Sequence, residues 1–213
     1  MHIRASYSMI RTVKYWACVK DFLLIVSNPN GSRNAVMNEG DAIVLYIFSG
    51  LPGTGKSTLA AALAQGLHAA YVRVDVVEQA MRDAGVWIDG PAGYVVCYEM
   101  TKQNLRLGLD VVADSVNPLH ETRQAWRDVA QSLAVLFVEI EVVCSDKQEH
   151  RRRVVSRVVD VPGLVLPMWA EVEARPYEGW DRPHIVIDTA HQTVAESLAA
   201  LRYTLSSEVD GTS

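Results

Sequence analysis

The sequence predicts a three-layer α/β domain: a five-stranded, mostly parallel sheet covered by helices on both faces. Three observations carry that reading. Residues 43–48 (IVLYIF) form a continuous apolar run, the pattern of a strand buried on both faces. Strand-like segments then alternate with helical ones as far as residue 205, which implies right-handed crossovers between parallel neighbours. A glycine-rich turn, GLPGTGKS, stands where the first strand gives way to the first helix.

The elements follow in order. After the strand at 43–48, Lys56 to His68 reads as a helix, with Leu59, Leu63 and Leu67 on one face. Ala70–Asp75 reads as the second strand and Val76–Ala84 as a helix. Tyr94–Leu107 is another helix, and Asp110–Asp114 a short third strand. Asn117-Pro118 supplies an N-cap and an N1 proline for a helix running to Leu133. Ala134–Cys144 is the fourth strand. Ser145 with Gln148 forms a capping-box pattern opening a helix to Val158. His184–Asp188 is the last strand, and Thr193 with Glu196 caps a final helix to Leu205.

Composition bounds the rest. The chain has 213 residues, 49% hydrophobic and 21% charged, enough apolar material for a single core. Its net charge of −5 argues against a general nucleic-acid coat protein. Residues 1–36 carry five basic residues and one acidic, and end in the turn-rich run SNPNGSRN. We read 1–36 as an appendage and 37–213 as the domain. Cys18, Cys97 and Cys144 show no metal or redox spacing and are expected as buried, reduced thiols. The sequence has no apolar run long enough for a membrane span and no signal-peptide pattern, which points to the cytoplasm.

The chemistry centres on residues 50–57, which match G-x-x-x-x-G-K-[ST], the P-loop. Its glycines allow backbone N–H groups to converge on phosphate oxygens, aided by the positive end of the following helix. Gly50, Pro52, Gly53, Thr54, Gly55, Lys56, Ser57 and Thr58 are therefore assigned to the nucleotide. Lys56, expected exposed in the loop, supplies positive charge, and the Ser57 hydroxyl is a hard ligand for Mg²⁺. No N-K-x-D motif is present, which favours ATP over GTP.

Other candidates sit at strand ends, where open α/β sheets bind ligands. Asp75 can accept a proton from an attacking hydroxyl, or serve as a strand-end cap or surface ion-pair partner. Arg82 can bind a substrate anion or pair with Glu78 at i, i+4. Asp114 ends VVAD as a metal-organising Walker B aspartate would. Asn117 can touch substrate or metal, or only cap its helix. In HRRRVVSR (150–157), Arg153 and Arg157 lie one turn apart, suited to a polyphosphate under a closing lid or to a solvated basic face. Residues 160–181 have the length of a mobile lid or substrate loop. Their Trp169, Tyr177 and Trp180 can line a pocket or cover the core.

Taken together, GLPGTGKST (50–58), Val74-Asp75 with Glu78, VVADSVN (111–117) and HRRRVVSR resemble the small P-loop kinases. That group includes chloramphenicol phosphotransferase, gluconate kinase, adenylylsulfate kinase and the kinase domain of bacteriophage polynucleotide kinase. The resemblance spans residues 43–205 and implies a P-loop NTPase fold with a lid helix. It further implies Asp75 as base, Asp114 at Mg²⁺, and Arg153 and Arg157 on the ATP phosphates. Residues 1–36 match nothing in it. The expected activity is ATP- and Mg²⁺-dependent phosphoryl transfer to a hydroxyl of a small molecule, through Lys56, Asp75, Arg153 and Arg157. Two alternatives stand beside it: a nucleic-acid 5′-hydroxyl kinase, and an ATP-binding regulatory or toxin-like module.

Overall fold

The first strand shows how the layers arise. In the computed structural model, which describes residues 43–210, β1 (Val44–Ser49) is buried along its whole length. It is followed by α1 (Lys56–Leu67), β2 (Ala70–Arg73), α2 (Val74–Asp83), α3 (Ala92–Arg106), β3 (Val111–Asp114) and α4 (His120–Ser132). Then come β4 (Leu136–Val143), α5 (Lys147–Ser156), α6 (Trp169–Ala174), β5 (Ile185–Asp188) and α7 (Val194–Asp210).

Successive side chains of a strand point to opposite faces. Val44, Tyr46 and Phe48 pack with Leu59, Leu63 and Leu67 of α1 and Leu201 of α7. Leu45 and Ile47 pack the other way, with Cys97 and Leu105 of α3 and Trp126 and Val129 of α4. Each such buried side chain stabilises the fold by about 1.5–3 kcal/mol. A polar residue at any inner position of β1 would therefore break one of the two layers.

The sheet order is β2-β3-β1-β4-β5, and every neighbouring pair is parallel. All five carboxyl ends therefore collect along one edge. That edge gathers the P-loop after β1, Arg73 at the end of β2, Asp114 at the end of β3 and Thr189 after β5.

Several boundaries differ from expectation. Strand β2 stops at Arg73, so Asp75 lies in the first turn of α2 rather than at a strand end. Val74 turns inward to join the core, which starts the helix early. Asn117 is not an N-cap: its φ of 48° is left-handed, whereas an N-cap is extended, and α4 begins only at His120. Helix α5 is capped by Asp146, not Ser145, through the Gln148 and Glu149 amides at 2.8 and 3.0 Å. It ends at Ser156, with Arg157 extended. Beyond it the exposed β-branched Val158 and Val159 offer no buried face to prolong a helix. The stretch 160–181, read as a mobile lid or substrate loop, contains a short helix, α6. The box opening α7 is as read: Thr193 N–H donates to Glu196 (2.8 Å) and Glu196 N–H to the Thr193 hydroxyl (3.2 Å).

Cys97 and Cys144 are buried and free, while Cys18 and the appendage 1–36 lie outside the described residues. Among the described residues, no helix is long and apolar enough to cross a membrane.

Candidate functional site

The P-loop takes its shape from close packing. Gly50 has φ 141°, and a Cβ there would collide with the Val142 carbonyl of β4. Gly53 has φ 87°, and a Cβ would come within 2.5 Å of Val154 on α5. The loop therefore lies directly against the helix that carries the arginines. His150 of α5 adds a 2.9 Å hydrogen bond to the Pro52 carbonyl. Thr54 is buried and its hydroxyl donates to the Leu51 carbonyl at 3.0 Å, closing the turn.

A cleft of about 610 Å³ opens over this loop. Pro52, Gly53, Gly55, Lys56, Ser57 and Thr58 form its floor, while Gly50 and Thr54 shape the loop from behind. Asp75, Glu78, Gln79 and Arg82, spaced along one face of α2, form one wall. Arg153, Arg157, residues 163–165 and Arg175 complete it. Arg82 donates to Glu78 at 3.0 Å, so the i, i+4 pair and the cleft position hold together.

Lys56 is buried, not exposed, and its ammonium pairs with Asp114 Oδ1. It also lies 3.5 Å from the Ser57 hydroxyl. Asp114 is wholly buried; burial alone would raise its pKa, but Lys56 and the hydrogen bonds around it hold it low. The Tyr71 hydroxyl donates to Asp114 Oδ2 at 2.7 Å, and burial together with that carboxylate pushes the phenol up, so it stays protonated. Ser57 Oγ and an ionised Asp114 thus stand side by side as hard oxygen donors, a set that fits Mg²⁺.

The sequence did not single out Arg73, which faces three carboxylates at the end of β2. Its guanidinium is 3.6 Å from both Asp75 and Asp114 and grips Asp160 with two hydrogen bonds. Desolvation lowers the Arg73 pKa, but Asp160 and Asp114 outweigh it and raise it. Asp75 remains 38% exposed and open to the cleft.

Thr189 is a second omission, findable only as the first residue past β5. Its hydroxyl lies 2.7 Å from the Thr54 carbonyl and 3.0 Å from that of Val143. Arg153 donates to this hydroxyl (2.7 Å), to the Thr189 carbonyl (2.8 Å) and to Glu149. The Arg153 guanidinium is thus fixed against the P-loop. Arg157, just past the end of α5, lies 3.8 Å from Asp160.

Asn117 lies behind the site and does not line the cleft. Its side-chain amide donates to Ser49 (3.2 Å), and its backbone carbonyl accepts from Arg123 (3.0 Å). Tyr177 and Trp180 pack over the buried Arg123 guanidinium, so they cover the core. Trp169 and His150 meet edge to face, their ring centres 5.2 Å apart.

The sequence model of a family described as "AAA domain" matches residues 45–166. The adenylyl-sulfate kinase of Synechococcus sp. is 27% identical over 182 residues, spanning 75% of this chain and 92% of that one. The Mycobacterium tuberculosis APS kinase solved in complex with AMPPNP and APS shares the fold at a TM-score of 0.54. It is 20% identical and covers 77% of this chain and 97% of its own. A sugar kinase from Janibacter sp. gives 0.55 at 14% identity, with 79% and 98% covered.

Proposed function

This chain belongs to the AAA-domain family of P-loop kinases, and we propose that it moves the γ-phosphoryl group of ATP to a hydroxyl of a small molecule. One observation carries the reading: Asp75 lines the same cleft as the P-loop, together with Arg153 and Arg157. A nucleotide site alone would need no carboxylate there.

The P-loop amides and Lys56 bind the β- and γ-phosphates. Ser57 and Asp114 would hold Mg²⁺, which when bound neutralises charge on the phosphate oxygens. Lys56, paired with Asp114 in the free protein, exchanges that partner for the phosphates. Asp75 orients the acceptor hydroxyl and takes its proton. The acceptor oxygen bonds to the γ-phosphorus as the bond to the β–γ bridging oxygen breaks, and ADP leaves. Arg153 and Arg157 neutralise charge on the transferring group.

Two neighbouring carboxylates with different duties provide the test. Asp75→Asn should cut transfer to an alcohol more than tenfold, a positioned base being worth roughly a hundredfold or more, with Mg·ATP affinity kept within a few-fold. Asp114→Asn should instead raise the Mg²⁺ concentration needed for activity. Full activity of Asp75→Asn with an alcohol acceptor sinks the proposed base.

A further inference from the structure

The cations of the cleft exceed what a triphosphate uses. Lys56, Arg153 and Arg157 stand beside the P-loop, whereas Arg82 on α2 and Arg175 after α6 line the cleft from other elements. Against these five positive groups the lining holds two carboxylates, Asp75 and Glu78.

Arg175 differs from the other four. Lys56 pairs with Asp114, Arg82 with Glu78, Arg153 with Glu149 and Arg157 with Asp160. Arg175 enters no ion pair or side-chain hydrogen bond among the described residues, although it borders the same space. Its backbone is nonetheless well fixed. Val172, 1% exposed, anchors α6 in the domain, and Lys147 on α5 pairs with Glu173. Arg175 has extended ψ (125°) because it precedes Pro176, which bars helical geometry at that position. Two residues past that proline, the Glu178 amide is tied to the Pro118 carbonyl at 2.8 Å. A short, anchored helix thus sets Arg175, exposed and free of ion pairs among the described residues, at the border of the cleft on a constrained backbone.

We infer that the acceptor carries an anionic group and that Arg175, with Arg82 from α2, holds it while the hydroxyl meets Asp75. A guanidinium fork matches carboxylate, phosphate and sulfate oxygens alike. The shared chemistry is therefore a hydroxyl-bearing organic anion. The inference rests on the kinase reading, because the acceptor side of the cleft is defined by Asp75.

Binding is measured first, without turnover. Inorganic sulfate is titrated by calorimetry into wild type and into Arg175→Ala and Arg82→Ala, with and without saturating Mg·AMPPNP. With the nucleotide loaded, wild type should bind sulfate saturably, and Arg175→Ala should bind it at least tenfold more weakly. Arg82→Ala should weaken it less, because Glu78 already shares that arginine. AMPPNP affinity should be unchanged in both variants. Sulfate binding that is absent or insensitive to Arg175 overturns the subsite, and so does loss of AMPPNP affinity in Arg175→Ala, which would assign that arginine to the nucleotide. Transfer is then compared among glycerol, glycerate and glycerol 3-phosphate. Preference for either anion over glycerol supports the inference and names the anion; preference for glycerol overturns it. If Mg·AMPPNP fails to bind but Arg175-dependent sulfate binding persists, the kinase reading falls and the anion site stands.

Discussion

Arginines anchor both ends of the strap from Arg157 to Asp181, but the two anchors differ in kind. At the far end Arg123 and Arg127 are fully buried. Arg123 donates to the carbonyls of Asn117, Gly179 and Glu178 at 3.0, 3.1 and 2.8 Å, and lies 5.0 and 4.2 Å from the Tyr177 and Trp180 ring centres. Arg127 takes Glu139 and Asp181, each at 2.9 Å. At the near end Arg73 grips Asp160, whose side chain is 52% exposed, with Arg157 a weaker second partner at 3.8 Å. Opening the far end strands buried charge, whereas opening the near end exchanges Asp160 for water. The far end is a fixed foundation. The near end is releasable, and Arg73 also faces Asp75 and Asp114.

The largest effect should come from breaking the foundation. Arg123→Ala removes a buried guanidinium and leaves three carbonyls without their donor. A loss of about 3–5 kcal/mol in unfolding free energy is expected, read from a urea transition. The variant should also be cut faster by protease near residues 177–181. A loss under about 1 kcal/mol would make the far end as releasable as the near one.

Arg73→Gln should cost less stability and more chemistry. We expect a loss of about 1.5–3 kcal/mol, the scale of hydrogen bonds to charged groups. Transfer should fall about tenfold or more with AMPPNP affinity within a few-fold, because Asp75 and Asp114 lose a shared cation. Asp160→Asn breaks the same clip while leaving Arg73 beside both aspartates. Equal loss of rate in the two variants would show that the strap, not the charge, carries the effect.

These two anchors also explain what the sequence could reveal. The P-loop is legible because its demands are local: glycines at positive φ, a strand before and a helix after. Asp114 is legible as the polar end of a short apolar strand. Arg73 is not, because its partner Asp160 lies 87 residues away. Arg123 looks like any arginine on an amphipathic helix until residues 177–180 return over it. Asp75 reads as a strand end because Val72 and Val74 continue the β-branched pattern, yet Val74 serves the same core from a helix. Hydrophobic periodicity conveyed the layers; long-range ion pairs, which leave no periodic trace, set the strap.

The smallest expected effect is a pH dependence that singles out the near end. Arg73's hydrogen bond to Asp160 holds that carboxyl below its ordinary value, so its folded pKa lies under its unfolded one. Such a group stabilises the fold fully above the unfolded pKa, about 3.9, and loses that contribution as pH falls through the folded pKa. Since Asp160 is half exposed, solvent screening keeps its share at or below about 1 kcal/mol. Wild type should therefore exceed Asp160→Asn in stability by a small, constant margin above about pH 5. The margin should shrink to nothing as pH falls through the lowered folded pKa and wild type itself becomes protonated at Asp160. Asp181, also lowered through its hydrogen bond with Arg127, titrates in the same direction, but in both proteins equally, so it cancels from the difference. Urea transitions of the pair at several pH values measure that difference directly. A margin that grows toward acid would mean that Asp160 is not held ionised by Arg73, and the near end would then have to be fastened by something other than charge.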